Sequence, residues 1–403
     1  MSVKEKFLRY VRVHTASSEN LSSTPTTSCQ FSLTKLLEEE MKELGLSNVY
    51  SDDHAYVYGE IPATPGRESS RAVGFIAHLD TIPDFPGENV NPVVIENYDG
   101  EDVSLGTSGR VISNSVFDHL GSLAGQTLIT TDGTTVLGAD DKAGIAEIME
   151  MCSRVISSGM SHGRISVCFT PDEEVGHGAS LLDIERMNVD FAYTVDGGTP
   201  ETVNYETFNA SAAHFHVSGF NIHPGSAKNK MINASLVAME INSMLPSGDV
   251  PEKTEDYEGF YHLTDMSGTV ESADLYYIVR DHDAAKFAAR EDTLRLIEKQ
   301  INEKYGPGTA KLEIREQYRN MAELVMQKPE IVDLAYRAIE KAGLKPACAP
   351  IRGGTDGSQL SYRGLLCPNL GTGGYSCHGP YEHITVEALE KCTEILLNIV
   401  SLA

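Results

Sequence analysis

Three short apolar runs punctuate the first half of the chain: residues 71–77 (RAVGFIA), 164–170 (RISVCFT) and 191–195 (FAYTV). Each is short and almost continuously apolar, so each predicts a strand buried on both faces. Residues 142–156 place Ile145, Ile148, Met149 and Cys152 on one face, the period of an amphipathic helix. Helices are also predicted at 3–14 and 32–44, the second capped by Ser32 with Leu36, Leu37, Met41 and Leu44 on its apolar side. A further strand is predicted at 55–60. Residues 83–138 are polar and rich in Gly, Pro, Asp and Asn, which predicts an elaborated loop region with short strands. Strands and helices in this alternation predict an α/β fold with a mixed, largely parallel sheet.

The rhythm changes near residue 208. Residues 212–219, 273–280 and 311–318 alternate like half-buried strands, with helices predicted at 227–245 and 284–303. This is the pattern of a small α+β domain. An apolar helix at 328–342 follows, then Gly-rich segments. The expected division is a first domain over 1–207, an inserted domain over 208–320 and a return to the first domain over 321–403.

Composition narrows the possibilities. The 403 residues exceed one average domain, and 41% hydrophobic content suffices for ordinary cores. A net charge of -26 argues against a nucleic-acid or anionic-membrane partner, which a positive surface would serve. No apolar run is long enough to predict a membrane span. The first residues read as a weakly amphipathic helix rather than a secretory signal, lacking a continuous apolar core and a small-residue cleavage site. The cysteines are scattered without a CxxC pattern, and Cys152, Cys168 and Cys367 have apolar neighbours. A reducing, cytoplasmic setting is therefore expected.

The chemistry gathers where the apolar runs stop. His78-Leu79-Asp80 follows the first, Glu173-Glu174 the second, Asp196-Gly197-Gly198 the third, and Asp140-Asp141 directly precedes a predicted helix. Open α/β sheets bind ligands past strand ends of this kind. Each residue also has a plain structural reading: His78 as a satisfied core histidine, Asp140-Asp141 as an acidic helix cap, Glu173-Glu174 as a solvated loop, Asp196 as a turn and His378 as a loop histidine. Together they supply imidazoles and carboxylates suited to a pair of divalent cations, whose charge offsets the repulsion among the acids. Positions 78 and 80 point the same way in an extended segment, so one can ligate while the other orients it. Of two adjacent glutamates, one can ligate while the other takes a proton from the attacking water.

With the motifs Gly138-Ala139-Asp140-Asp141-Lys142, Pro171-Asp172-Glu173-Glu174, Val195-Asp196-Gly197-Gly198 and Gly374-Tyr375-Ser376-Cys377-His378-Gly379, the chain resembles the M20 family of metallopeptidases almost end to end. The resemblance implies a zinc-peptidase catalytic domain interrupted by a smaller lid domain. It implies two zinc ions, with cobalt or manganese as possible substitutes at mixed N/O ligands. His78, Asp140 and Asp196 would hold one ion; Glu174, His378 and the shared Asp140 the other. Asp80 would orient His78 and Glu173 would be the general base. Aspartate at 196, where several branches carry glutamate, points to the branch that releases the N-terminal residue from tripeptides. The resemblance also implies that His223 bonds the developing oxyanion, that Arg280 and Arg352 take the peptide carboxylate, and that Asn233 contacts substrate from the lid. Short peptides, tripeptides preferred, are thus the expected partners, with monomer and homodimer both open. A related deacylase or dipeptidase would share the metal set, whereas a catalytically silent homologue would have no need of Glu173.

Overall fold

The computed structural model describes residues 1–21 and 23–403. Its contacts divide the chain into two units. The first comprises Met1–Tyr205, Glu323–Ala349 and Thr355–Ala403; the second comprises Glu206–Ala322 and Pro350–Gly354. Residues 350–354 join the second unit because their backbone is stitched to it. Ile351 N–H donates to Glu206 O (2.8 Å) and Phe208 N–H to Gly353 O (3.2 Å).

In the first unit a seven-stranded sheet runs in the order Ser47–Ser51, Val57–Ile61, Ile165–Thr170, Val73–His78, Phe191–Gly197, Asn369–Gly371, Val203–Asn204. The middle four strands are parallel and the outer pairings antiparallel. Every residue of Val73–His78 and Ile165–Thr170 is buried, as their continuous apolar character requires. Alternation sends Ile76, Cys168 and Ala192 into a cluster with Tyr56, Met187, Leu360 and Cys367, while Phe75 stacks on Tyr193 on the opposite face. The helix Ala139–Ser158 packs on Val73–His78 and Phe191–Gly197, backed by Val3–Tyr10 and Val386–Leu402. It lies unusually close to the sheet. A Cβ on Gly144 would stand 2.0 Å from Val195 O, so this approach requires glycine. The loop region between residues 83 and 138 forms the short strands Val93–Ile95, Val103–Leu105, Arg110–Ile112 and Leu128–Thr130. The late strand His383–Thr385 pairs with Leu128–Thr130.

The second unit is a four-stranded antiparallel sheet in the order Phe260–Gly268, Ser272–Asp281, Asn209–Ser218, Ala310–Tyr318. Helices Ala234–Met244 and Ala284–Tyr305 bury Val237, Ile241, Leu294 and Ile297 against Phe215, Val217, Leu275 and Val279.

Local differences from the sequence expectation have physical causes. The first helix stops at Tyr10. Ser32 lies inside the helix Phe31–Leu44 rather than capping it, because the single-turn helix Ser28–Gln30 leads straight in. The helix expected from 227 starts at Ala234, where Asn233 accepts a bond from Leu236 N–H (3.3 Å). The strand Phe260–Gly268 was not anticipated; most of its residues are exposed, so its hydrophobic alternation is weak. Cys152, Cys168, Cys367 and Cys392 are buried free thiols. Among the described residues no helix is long and apolar enough to cross a membrane.

One core residue runs against the pattern. Glu147, in the helix Ala139–Ser158, is fully buried, and neither carboxyl oxygen has a partner among the described residues. Burial pushes its carboxyl well above the ordinary range. The native state therefore holds a proton that the unfolded chain releases. Stability is greatest below the unfolded value and falls as pH rises through the folded one. Glu147→Met should stabilise the protein by about 1–3 kcal/mol at pH 8 and by less near pH 5. Urea denaturation at both pH values checks this; equal gains at both would refute the titration.

Candidate metal centre

The carboxyl ends of three parallel strands deliver His78, the Thr170 to Glu174 segment and Asp196 to one edge of the sheet. Gly138 at φ +77° turns the chain so that Asp140 and Asp141, both outside helical geometry, face this edge before the helix settles. The loop that follows Asn369–Gly371 brings His378, itself left-handed at φ +68°. Non-glycine residues held in this region are a common cost at functional sites.

The centre is built around the Asp140 carboxylate. Its Oδ1 lies 2.9 Å from His78 Nε2 and its Oδ2 lies 3.1 Å from His378 Nε2. Asp196 Oδ1 is 3.5 Å from His78 Nε2, and Glu174 Oε2 is 3.2 Å from His378 Nε2. His78 Nδ1 lies 3.0 Å from the Asp80 carbonyl. With Nδ1 donating there, Nε2 is the nitrogen that faces the carboxylates; its proton points at them, and a metal ion would take that proton's place. The structure thus brings His78, Asp140, Asp196, Glu174 and His378 into one cluster, as a shared-carboxylate pair of ion sites requires.

Asp80 has a second task. Its carboxylate accepts from Glu173 N–H (2.9 Å) and Glu174 N–H (3.2 Å), and is 3.4 Å from His78 Nδ1. It therefore holds the backbone of the glutamate pair, while the imidazole is met at shorter range by the Asp80 main-chain carbonyl. Asp141 was singled out in the sequence together with Asp140 but given no ligand role. Its oxygens lie close enough to His78 and Asp196 to share an ion. Yet they accept from His78 N–H (3.1 Å) and Gly144 N–H (3.2 Å), which makes Asp141 a brace between strand and helix rather than a first choice of ligand. Asp356 was also missed. It is buried, accepts from Thr170 Oγ1 (2.9 Å), and packs against Gly178, where a Cβ would come within 2.3 Å of its carboxylate.

The electrostatics are those of a site built for cations. Burial pushes Asp196 up to about 7, opposed by the His78 charge. Burial also raises Glu173, to which the charge of Asp196 adds, and raises Glu174. Burial pushes Asp140 upward too, but bonds from His378 and His78 outweigh it and hold that carboxyl low. Bonds from Asp140 and Glu174 lift His378 to about 11. The imidazoles act as the counter-charges of the cluster; divalent cations would take that part and displace the protons. Two imidazoles with carboxylates at these spacings fit zinc, a borderline ion that takes N and O ligands together.

The four remaining candidates lie in the second unit. His223 is exposed and its Nδ1 accepts from Gly225 N–H (3.1 Å), which places the ring proton on Nε2 as an outward donor. Asn233 is the helix cap described above. Arg280 is buried, donates to Ser211 O and Val279 O, and lies over the Tyr318 ring. Arg352 donates to Asp256 O, Glu258 O and Thr254 Oγ1 and lies over Phe208 and Phe260.

Comparison with known proteins places these features in context. The sequence profile of peptidase family M20/M25/M40 matches residues 137–402. A protein named Peptidase T from Desulfitobacterium hafniense is 50% identical over 403 residues, covering 100% of this chain and 98% of its own length. Peptidase T from Clostridium perfringens is 48% identical over 401 residues, covering 99% and 98%. The crystal structure of a tripeptidase from Staphylococcus aureus shares the fold, with a TM-score of 0.79 at 21% identity over 99% of this chain and 97% of that one.

Protein stripped with a chelator and re-equilibrated with zinc is expected to hold two ions per chain, Asp140→Ala to lose both and His378→Ala to keep one. Because the ligands carry protons that zinc must displace, affinity should rise with pH. Metal analysis after gel filtration reads these counts, and two tightly held ions in Asp140→Ala would refute the shared carboxylate.

Proposed function

The chain belongs to peptidase family M20/M25/M40, and from that premise we propose that it is a metal-dependent aminopeptidase that releases the N-terminal residue of short peptides, tripeptides above all. The observation that carries the reading is the Asp140 carboxylate, which turns one oxygen to each of two imidazoles (2.9 and 3.1 Å), with a second glutamate beside the ligand Glu174. The names of the relatives support the peptide substrate. A cytoplasmic place, where short peptides arise from protein turnover, completes the proposal.

His78, Asp140 and Asp196 would hold one ion and Glu174, His378 and Asp140 the other. When bound, the ions supply Lewis acidity that polarises the peptide carbonyl and makes water easier to deprotonate near neutral pH. Glu173 accepts the proton of the attacking water. Burial suits it to this task, since a carboxyl raised above the ordinary range holds the proton well enough to return it to the departing amine. Asp80 keeps Glu173 and Glu174 in register by its two backbone contacts. His223, with its proton on Nε2, is proposed as the donor to the oxyanion. Arg280 and Arg352, anchored by their carbonyl bonds, are proposed to take the peptide carboxylate, and Asn233 to contact the substrate from its cap.

Glu173→Ala should keep both ions while turnover falls about 100- to 10,000-fold. Full turnover by the metal-loaded variant would remove Glu173 from the reaction. His223→Ala should lower kcat by about 100-fold or more with a smaller effect on KM, because an oxyanion donor acts in the transition state. A change confined to KM would make His223 a binding residue only. For the wild type, kcat/KM on unblocked di-, tri- and tetrapeptides should peak at three residues, with release of the N-terminal residue followed by mass spectrometry. Release of the C-terminal residue instead, or turnover only of N-acylated peptides assayed beside them, would move the chain to a carboxypeptidase or deacylase role.

A further inference from the structure

We propose that Glu382 is the positioning residue for Asp140, holding the backbone that presents the shared ligand and so setting the affinity of both ions at once. The inference rests on the metal reading of the centre. Glu382 is 1% exposed, and its side-chain hydrogen bonds go to backbone N–H groups rather than to the imidazoles of the cluster. Its Oε2 accepts from Leu137 N–H (2.7 Å) and Gly138 N–H (2.8 Å), and its Oε1 accepts from Asp140 N–H (3.0 Å). These donors need an outside partner. Gly138 is left-handed and Asp140 extended, so the loop has no helical or sheet bonding of its own to offer them. A buried N–H without an acceptor is costly, and one carboxylate serves all three.

The adjacent residue holds the other loop. His383 N–H donates to Tyr375 O (3.1 Å) and Tyr375 N–H to His383 O (2.9 Å), three residues before the ligand His378. His383 Nδ1 donates to Tyr381 O (2.7 Å), so its Nε2 accepts from His119 Nε2 (2.8 Å). The His119 ring in turn stacks on Tyr375 at 4.1 Å. Two consecutive residues on one strand edge thus clamp the loops of Asp140 and His378, and the short strand pairing with Leu128–Thr130 fixes them to the unit.

The chemistry of the carboxylate makes the proposal specific. Three N–H donors face two oxygens. Glutamine has the same shape but only one oxygen, so its amide must turn a donor toward Leu137 and Gly138 or toward Asp140. Glu382→Gln should therefore weaken binding of each zinc ion by about 10- to 100-fold. The readout is competition with a chelating dye, with the apoprotein's melting temperature followed alongside. At saturating zinc kcat should still be reduced while KM changes little, because a displaced ligand persists after loading. Glu382→Asp keeps the charge but is one methylene short, and should fall between wild type and Glu382→Gln in zinc affinity.

Zinc affinities within about twofold of wild type in folded Glu382→Gln, whatever its melting temperature, would overturn the positioning role. So would failure of both variants to fold, which would make Glu382 a folding residue. Wild-type protein that binds no zinc or cleaves no peptide would remove the metalloenzyme reading and this inference with it. A competent wild type beside an unaffected Glu382→Gln removes the inference alone.

Discussion

Asp140 between two imidazoles is the interaction on which the rest of the first unit depends. One carboxylate can face His78 and His378 together only if it projects from a stretch that is neither strand nor helix, at the carboxyl edge of the sheet. Much of the local architecture follows from that demand. Gly144 lets the helix Ala139–Ser158 press against Val195, bringing its first residues over the strand ends. Asp141 bonds the backbone of His78 and of Gly144, fixing strand to helix one residue past the ligand. Glu382 closes the loop from behind.

Apart from Glu173 and Asp356, the acidic residues of the centre divide into two kinds. Asp140, Glu174 and Asp196 face imidazole nitrogens. Asp80, Asp141, Asp172 and Glu382 face backbone N–H groups; Asp172 accepts from Thr26 N–H (2.7 Å), Thr26 Oγ1 (2.6 Å) and Gln30 Nε2 (2.7 Å). The second kind resembles helix capping carried into irregular loops: a carboxylate collects orphan donors, and their dipoles offset its charge. This arrangement accounts for an acid density greater than two ions need. It also explains why amide replacement at such positions is not conservative, since an amide brings a donor where only acceptors fit.

The boundary between what could and could not be read in the chain follows that division. Strands buried on both faces were legible because continuous apolar runs have few other solutions, and the candidate ligands His78, Glu174 and Asp196 stood out because they sit where those runs stop. Glu173 and Glu174 are separable only through the family resemblance, being chemically identical neighbours. Asp356 and Glu382 gave no signal, and Asp141 gave one only as half of the Asp140-Asp141 pair, with no role of its own. A residue that bonds backbone N–H groups leaves no spacing pattern, and Glu382 lies more than 240 residues from the loop it holds. The strand Phe260–Gly268 escaped notice for a related reason: its pairing with Ser272–Asp281 is made by backbone, while few of its side chains are well covered. Asn233 could have been read as a cap from its place before Ala234, but the apolar periodicity upstream suggested a longer helix.

The same reasoning bears on the two arginines of the second unit. A free guanidinium on a surface loop pays rotamer entropy when it binds a carboxylate. Arg352 donates two bonds from Nη1 and one from Nη2 to its own unit and lies beside the edge-to-face pair Phe208 and Phe260; Arg280 is buried against Tyr318. Their planes are therefore set before any ligand arrives, which favours bidentate recognition and disfavours lysine, whose ammonium cannot keep these contacts at once. His223 follows the same logic on a smaller scale, since Gly225 selects its tautomer. Groups at the metal centre are held by carboxylates that collect N–H donors, and the candidate substrate groups of the second unit by backbone that fixes side chains. In both units function is specified less by the reactive residue than by the partners that leave it one orientation.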